Sequence, residues 1–302
     1  MKISPAQGPK MTVERTFFYR DCMGDQIAMT MDKPTIPANK IGIVIVSGGN
    51  EIRTGAHRGQ AKLSRELAKK GFTILRYDRR GVGDSTGKNK GFMHARDDIF
   101  CALTAICDDE IGMEKIFIIG NCDAATSIAI NAHAASEQFP KLSGHILTNP
   151  WTIDIAEPNQ INAAAPHNAV KDDLPSAAAI RARYLKKITD PAAWKQLLSG
   201  GTNIGKIFAG LKKSFQKNNL SVTGKIYFDA LSSLNQPTKI LLAQHDNTAI
   251  SFYEIWKGKY GHAARANPHI HLAKLDSASH SFADEQSFDW LITQITDYII
   301  EI

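Results

Sequence analysis

The stretch IIGNCDAA, residues 118–125, joins a run of apolar residues to a run of helix-forming alanines. A nucleophile elbow is a sharp strand-to-helix turn that presents a reactive side chain. It needs small residues two positions before and two positions after that side chain, because bulk there collides with the neighbouring strand and helix. Gly120 and Ala124 meet this requirement around Cys122. The alternative from this motif alone is that Cys122 is a small buried residue filling the turn.

A cysteine at this position is expected to have a lower pKa than an ordinary thiol. The N-terminus of a helix is the positive end of the helix dipole, and a nearby histidine adds to that field. Both effects lower a thiol pKa, so the sequence predicts that Cys122 is nucleophilic near neutral pH.

The chain around this stretch alternates short β-branched runs with helical stretches, which predicts an α/β fold with a mostly parallel sheet and helices on both faces. An N-terminal hairpin is predicted around the turn DCMGD, residues 21–25. The predicted strands cover residues 15–19, 26–31, 41–47, 72–78, 115–121, 144–150, 238–246 and 270–276. The predicted helices cover residues 59–70, 95–110, 123–136, 251–259 and 285–300.

The alternation stops between residues 151 and 236, where Ala-rich and Lys-rich helical stretches replace buried strands. The sequence therefore predicts a loose leader at 1–14, a core formed by 15–150 and 237–302, and an inserted helical cap at 151–236. Residues 151–235 contain 11 Lys and Arg residues against 6 Asp and Glu residues. This excess is either a solvated helical surface or a basic rim facing an acidic substrate or carrier.

Composition narrows the class of protein. No apolar run reaches ~18 residues, so no membrane span is predicted, and the N-terminus lacks the apolar segment of a secretory signal. The four cysteines have no CxxC spacing, which favours reduced thiols in the cytoplasm and predicts no metal site.

The basic residues lack interleaved aromatics, so a nucleic-acid partner is not expected. The glycines at 81 and 83 lack the third glycine of a dinucleotide motif, so no cofactor is predicted.

Two later residues complete a catalytic triad in the order nucleophile, acid, base. Asp246 lies just past a buried apolar run, and His280 lies in the polar loop SASHSF, residues 277–282, before the last helix. Both are expected at the carboxyl ends of parallel strands, where α/β folds build their sites. We therefore predict Cys122 as nucleophile, Asp246 as acid and His280 as base.

An oxyanion hole requires backbone N–H groups close to the nucleophile. Asp123, the residue after the nucleophile, is expected to supply one. The loop SGGNE, residues 47–51, is expected to supply another from Gly49 or Asn50. The alternative for this loop is a simple tight turn.

Three other residues could serve the site or the fold. His57 and Arg58, in TGAHRG at 54–59, are predicted either to contact substrate or to make local hydrogen bonds. His245 precedes Asp246 on the same predicted strand, so we expect it to have a structural role.

The glycine-rich turn after the second buried strand matches the pattern DxRGxGxS, with Asp78, Arg80, Gly81, Gly83 and Ser85. With this turn, the chain from about residue 15 to its C-terminus resembles the α/β-hydrolase superfamily. The motifs SGGNEIRTGAHR, LRYDRRGVGDSTG, GNCDAA and LTNPW are similar to the exosortase A system-associated hydrolase 1 family. That resemblance implies a cysteine in the elbow, the same three triad residues, and an association with bacterial exopolysaccharide export and protein sorting.

The expected function is hydrolysis of an ester or thioester through an acyl-enzyme intermediate, with a small-molecule or carrier-bound acyl substrate. A thioester on the enzyme is also captured readily by an alcohol or amine. One alternative is therefore an acyltransferase acting on a sugar or carrier. A second alternative is a non-catalytic binding member of the fold. The sequence assigns no oligomeric state.

Overall fold

The computed structural model describes residues 13–35, 38–108, 110–154 and 220–302. These residues form one eight-stranded sheet with helices on both faces. The strands are β1 (Val13–Cys22), β2 (Asp25–Pro34), β3 (Ile41–Val46), β4 (Thr73–Tyr77), β5 (Lys115–Asn121), β6 (Leu142–Thr148), β7 (Thr238–Ala243) and β8 (Ile270–Leu275). The helices are α1 (Gly59–Lys69), α2 (Arg96–Ile106), α3 (Asp123–Gln138), α4 (Val222–Ser232), α5 (Asn247–Lys257), α6 (His262–Ala266) and α7 (Glu285–Glu301). Short 3₁₀ turns occur at Ala56–Arg58 and Phe92–His94.

The strand order is β1-β2-β4-β3-β5-β6-β7-β8. β1 pairs with β2 and β2 pairs with β4 in antiparallel fashion, and every other pairing is parallel. The chain runs from β3 outward to β4 on one side and from β5 outward to β6 on the other. The loops after β3 and β5 therefore diverge and leave a crevice at the carboxyl edge of the sheet, which is where open α/β sheets bind ligands.

The sheet is buried on both faces because its central strands carry apolar residues without polar alternation. In β3, Val44 and Val46 face the layer containing α2 to α6, while Ile43 and Ile45 face the layer containing α1 and α7. These residues are at most 3% exposed. The two apolar layers hold the sheet rigid and so fix the loops at its edge.

The predicted hairpin and the predicted core strands are confirmed, with bounds that differ by a few residues. Helix α5 begins at Asn247 rather than at residue 251, because the Asp246 side chain caps it. The short helix α6 was not predicted, since five residues carry too little periodicity to be recognised.

The predicted cap lies mostly outside the described residues, which resume at residue 220. Its described end contains α4, which packs against α3 and buries Tyr227, Phe228 and Leu231 in the main apolar layer. At the other end of the chain, β1 begins at Val13, within the predicted leader. Among the described residues, no helix has both the length and the hydropathy needed to cross a membrane.

Candidate active site

Cys122 lies in the turn between β5 and α3 with a backbone conformation of φ 61° and ψ −123°. A non-glycine residue in such a conformation costs of order 1–3 kcal/mol and persists only where its surroundings hold it. Here the Cys122 N–H donates to the carbonyl of Thr148 at 2.9 Å, and the Cys122 carbonyl accepts from the N–H of Trp151 at 3.1 Å. The turn after β5 is therefore tied to the end of β6 on both sides of the cysteine.

Gly120 shows why the elbow needs small residues. A methyl group on Gly120 would lie 2.8 Å from the carbonyl carbon of Ala124 and 2.8 Å from Cδ1 of Ile128. Those distances are shorter than van der Waals contact, so the strand and the helix approach closely only because residue 120 has no side chain. This geometry agrees with the spacing seen in the sequence.

Asp246 is held between the start of α5 and the imidazole of His280. One carboxylate oxygen accepts hydrogen bonds from the N–H groups of Thr248 and Ala249, both at 3.0 Å. The other oxygen lies 3.0 Å from Nδ1 of His280. Because the side chain is 7% exposed and fixed at both oxygens, it determines the orientation of the imidazole.

Asn149 positions the same histidine from the other side, and the sequence analysis did not identify it. Its Nδ2 donates to the carbonyl of His280 at 2.8 Å, and its Oδ1 accepts from the N–H of Ala243 at 2.8 Å. Asn149 is fully buried with a φ of 42°. An asparagine before a proline at a strand end, as in LTNP, was the available signal.

The imidazole of His280 lies beside the thiol of Cys122 and interacts with it, so the structure brings together the three residues predicted as nucleophile, acid and base. Burial lowers the pKa of His280, but hydrogen bonds to Asp246 and Cys122 outweigh it and raise the pKa to about 11. The imidazole is therefore stabilised as an imidazolium.

The prediction of a lowered thiol pKa is wrong for this arrangement. Burial raises the pKa of Cys122, and the neighbouring Asp123 carboxylate adds to the rise, while His280 opposes both. Burial of the thiol disfavours its charged form, and the Asp246–His280 contact favours the charged imidazole whatever the charge on the sulfur. The resting pair is then a neutral thiol beside an imidazolium.

One of the backbone donors predicted for the oxyanion hole is occupied. The N–H of Gly49 donates to the carboxylate of Asp123, at 2.7 and 2.9 Å from its two oxygens. The N–H of Asp123 lies beside the sulfur of Cys122 and favours its charged form. Asn50 uses its side-chain oxygen to accept from Asn89 at 2.8 Å, which braces the glycine-rich turn rather than the site. The sequence analysis considered only the main chain of Asp123, not its carboxylate.

His57 and Arg58 lie in the short 3₁₀ turn before α1, with φ values of 51° and 60°. Both are exposed, and their side chains have no hydrogen-bond or ion-pair partner among the described residues. His245 pairs through Nε2 with Asp276, at 2.6 Å, on the exposed edge of the sheet. The described residues therefore show no contact between these three side chains and Cys122.

The described residues hold no cluster of three or more His, Cys, Asp or Glu side chains suited to a metal ion. A mostly apolar cavity of about 70 Å³ lies on the α1 and α7 side of the sheet, against Gly120, Phe282 and Leu291. Cys122 does not line it, so this cavity is not the space that faces the thiol.

The family model described as Hydrolase_4, "Serine aminopeptidase, S33", matches residues 38–199, which is just over half of the chain. No curated protein has significant sequence similarity to the chain. The family is described as one of serine enzymes, whereas this chain has Cys122 at the elbow.

Solved structures share the fold at low sequence identity. An esterase of Pyrococcus furiosus superposes with a TM-score of 0.59 at 14% identity, over 100% of this chain and 95% of that one. Est1E from Butyrivibrio proteoclasticus, solved with ferulic acid, has a TM-score of 0.59 at 13% identity, over 94% and 98%. A thioesterase domain from the curacin biosynthetic pathway has a TM-score of 0.52 at 13% identity, over 94% and 99%. These similarities show the α/β-hydrolase fold.

Proposed function

Because the chain belongs to the Hydrolase_4 family and is an α/β-hydrolase, we propose that it cleaves an ester or thioester with Cys122 as the nucleophile. His280 acts as the base and Asp246 as the acid that orients it. The observation that carries the proposal is the 3.0 Å contact between Nδ1 of His280 and Asp246, on an imidazole that also interacts with the Cys122 thiol.

The chemistry follows from these contacts. When the Cys122–His280 pair loses one proton, the other is shared between sulfur and imidazole, and the sulfur can attack an acyl carbon. A carbon–sulfur bond forms and the bond to the alcohol or thiol breaks. His280 gives its proton to that leaving group and then takes one from the water that hydrolyses the enzyme thioester.

The strained backbone at Cys122 supports catalysis over a purely binding role. A residue that only fills a turn gains nothing from φ 61°, and glycine would adopt this conformation at no steric cost. A strained backbone kept at a cysteine, where glycine would relieve it, is expected of a reactive thiol and not of one that only fills space.

The finer parts of the proposal rest on sequence alone. The motifs shared with the exosortase A system-associated hydrolase 1 family link the chain to exopolysaccharide export. The basic segment at 151–235 favours an acidic or carrier-bound acyl substrate. A cytoplasmic location fits four cysteines that have no CxxC spacing.

The test is to incubate the protein with p-nitrophenyl acetate and with a short acyl thioester, and to measure turnover and acyl-Cys122 by peptide mass mapping. We expect Cys122→Ala to lower kcat/KM by at least ~10³-fold, because the nucleophile is lost. The matched control is Cys107→Ser, which removes a thiol away from the site and is expected to leave turnover unchanged.

The acyl adduct should appear on Cys122 at early times in the wild-type protein. Turnover that survives in Cys122→Ala, or an adduct found on another cysteine, would exclude the proposed nucleophile. Equal melting temperatures for the two cysteine variants would show that the loss is chemical rather than structural.

A further inference from the structure

The carboxylate of Asp123 occupies the place where a substrate oxyanion would be bound. It accepts the hydrogen bond of the Gly49 amide at 2.7 and 2.9 Å, and that amide is the donor expected from the loop after β3. A carboxylate there blocks the donor and also repels a second negative charge. In this arrangement a tetrahedral intermediate cannot use Gly49.

The backbone around this contact is shaped to receive the carboxylate. A methyl group on Gly48 would lie 2.5 Å from Oδ1 of Asp123, so glycine at position 48 leaves room for it. Gly49 itself has a φ of 53°, which turns its N–H toward the elbow. The contact therefore depends on two consecutive glycines rather than on chance proximity.

A second candidate partner for the same carboxylate lies nearby. Arg79, in the turn after β4, is 3% exposed, and its Nε has no hydrogen-bond partner among the described residues. Its guanidinium is close enough to stabilise the Asp123 carboxylate electrostatically. Within the described part of the chain Arg79 makes no ion pair, and a buried guanidinium without one is costly, so a position that pairs it with Asp123 is favourable.

We propose that Asp123 gates the oxyanion hole, with its carboxylate resting on the Gly49 amide and moving to the Arg79 guanidinium when a substrate carbonyl arrives. The inference rests on the proposed function, since it concerns acylation of Cys122. Asp123 and Arg79 are positioning residues in this scheme. The gate slows the attack of the Cys122 thiol on carbonyl compounds that bind too weakly to displace the Asp123 carboxylate.

The experiment compares two reactions at Cys122, measured by mass mapping at several pH values. Acylation by p-nitrophenyl acetate forms a carbon–sulfur bond, releases p-nitrophenolate and passes through an oxyanion. Alkylation by iodoacetamide displaces iodide and passes through no oxyanion. A change in the charge of the thiol alters both rates, whereas access to the Gly49 amide alters acylation alone. The ratio of the two rates therefore distinguishes these effects.

In Asp123→Ala we expect acylation to rise about tenfold or more, and to rise more than alkylation, because Gly49 becomes free. Asp297→Ala, which removes an exposed carboxylate on α7, is the matched control and should change neither rate. Equal rises in acylation and alkylation would mean that Asp123 acts only through thiol charge, and unchanged rates would mean that it has no influence. Either result overturns the gate.

The role of Arg79 is tested by Arg79→Met, with Arg79→Lys as a second variant that keeps the charge if the first folds poorly. We expect Arg79→Met to slow acylation, and the double variant Arg79→Met/Asp123→Ala to acylate as fast as Asp123→Ala. If the double variant acylates as slowly as Arg79→Met, the Asp123 carboxylate does not move from the Gly49 amide to the Arg79 guanidinium. If Cys122 is acylated in none of the proteins, the wild type included, the proposed function itself is contradicted. That result differs from every outcome that concerns the gate alone.

Discussion

At the scale of single residues, Asp246 has two roles that cannot be separated. One oxygen begins α5 by accepting from two backbone N–H groups, and the other orients His280. The same carboxylate raises the pKa of His280 against the effect of burial. Asp246 is thus both a helix cap and an electrostatic partner of His280.

The raised pKa of His280 predicts how stability depends on pH. A group whose pKa is higher in the folded state stabilises that state fully below its unfolded pKa of 6.5, and the effect is lost as pH rises toward about 11. We expect the free energy of unfolding to fall from pH 6.5 to 8.5 in the wild type. Urea denaturation measures it.

The variant Asp246→Asn isolates this effect. Asparagine still caps a helix but has no charge, so α5 should form while the pH dependence between 6.5 and 8.5 becomes flatter. Asp276→Asn removes the exposed His245–Asp276 pair and serves as the control, with a slope close to that of the wild type. Equal slopes in all three proteins would contradict the assignment to His280.

At the scale of elements, the joint between β5 and α3 sets the position of Cys122, the proposed nucleophile. Gly120 and Ala124 allow strand and helix to meet at distances that no side chain on residue 120 would permit. This requirement could be predicted from sequence because it depends on residues four positions apart. The contact of Gly49 with Asp123 could not, since it joins loops 74 positions apart.

We expect Gly120→Ala to destabilise the protein by about 1–3 kcal/mol, because the added methyl overlaps Ala124 and Ile128. Its control is Gly59→Ala, where no atom lies within 4 Å of the added methyl and the backbone is already helical. That control should be neutral or slightly stabilising. Chemical denaturation compares the two, and equal effects would argue against close packing at the elbow.

At the scale of the whole molecule, Asp32 joins the antiparallel hairpin to the parallel sheet. Its buried carboxylate contacts Arg15 on β1 at 2.6 Å, Arg76 on β4 at 3.3 Å, and the hydroxyl of Ser64 on α1. Burial raises the pKa of Asp32, but these partners outweigh it and lower the pKa overall. Its stabilising effect is therefore present above about pH 4 and is lost as pH falls.

The variant Asp32→Asn should destabilise the protein by about 3–5 kcal/mol at pH 7, because Arg76 keeps a buried charge without its partner. Asp289→Asn on the exposed face of α7 is the control. The double variant Asp32→Leu/Arg76→Met should recover part of the loss by removing both charges. If Asp32→Asn matches its control in urea denaturation, the ion pair contributes nothing.

Much of this molecule could be predicted from its sequence, because β-branched runs and strand-end residues are local signals. The strand pattern and the placement of Asp246 and His280 at strand ends are of this kind. The pKa of Cys122 was predicted in the wrong direction because burial depends on how distant segments pack. The roles of Asn149 and of the Asp123 side chain depend on the same long-range packing.

The double role of Asp246 bears on how the family would change over evolution. A descendant that lost catalysis but kept its fold would still need Asp246 to start α5, so retention of that aspartate says little about activity. Cys122 is different, since its strained backbone gives the fold nothing in return and glycine would relieve it. The residue at position 122 is therefore the better marker for telling active members of such a lineage from degenerate ones.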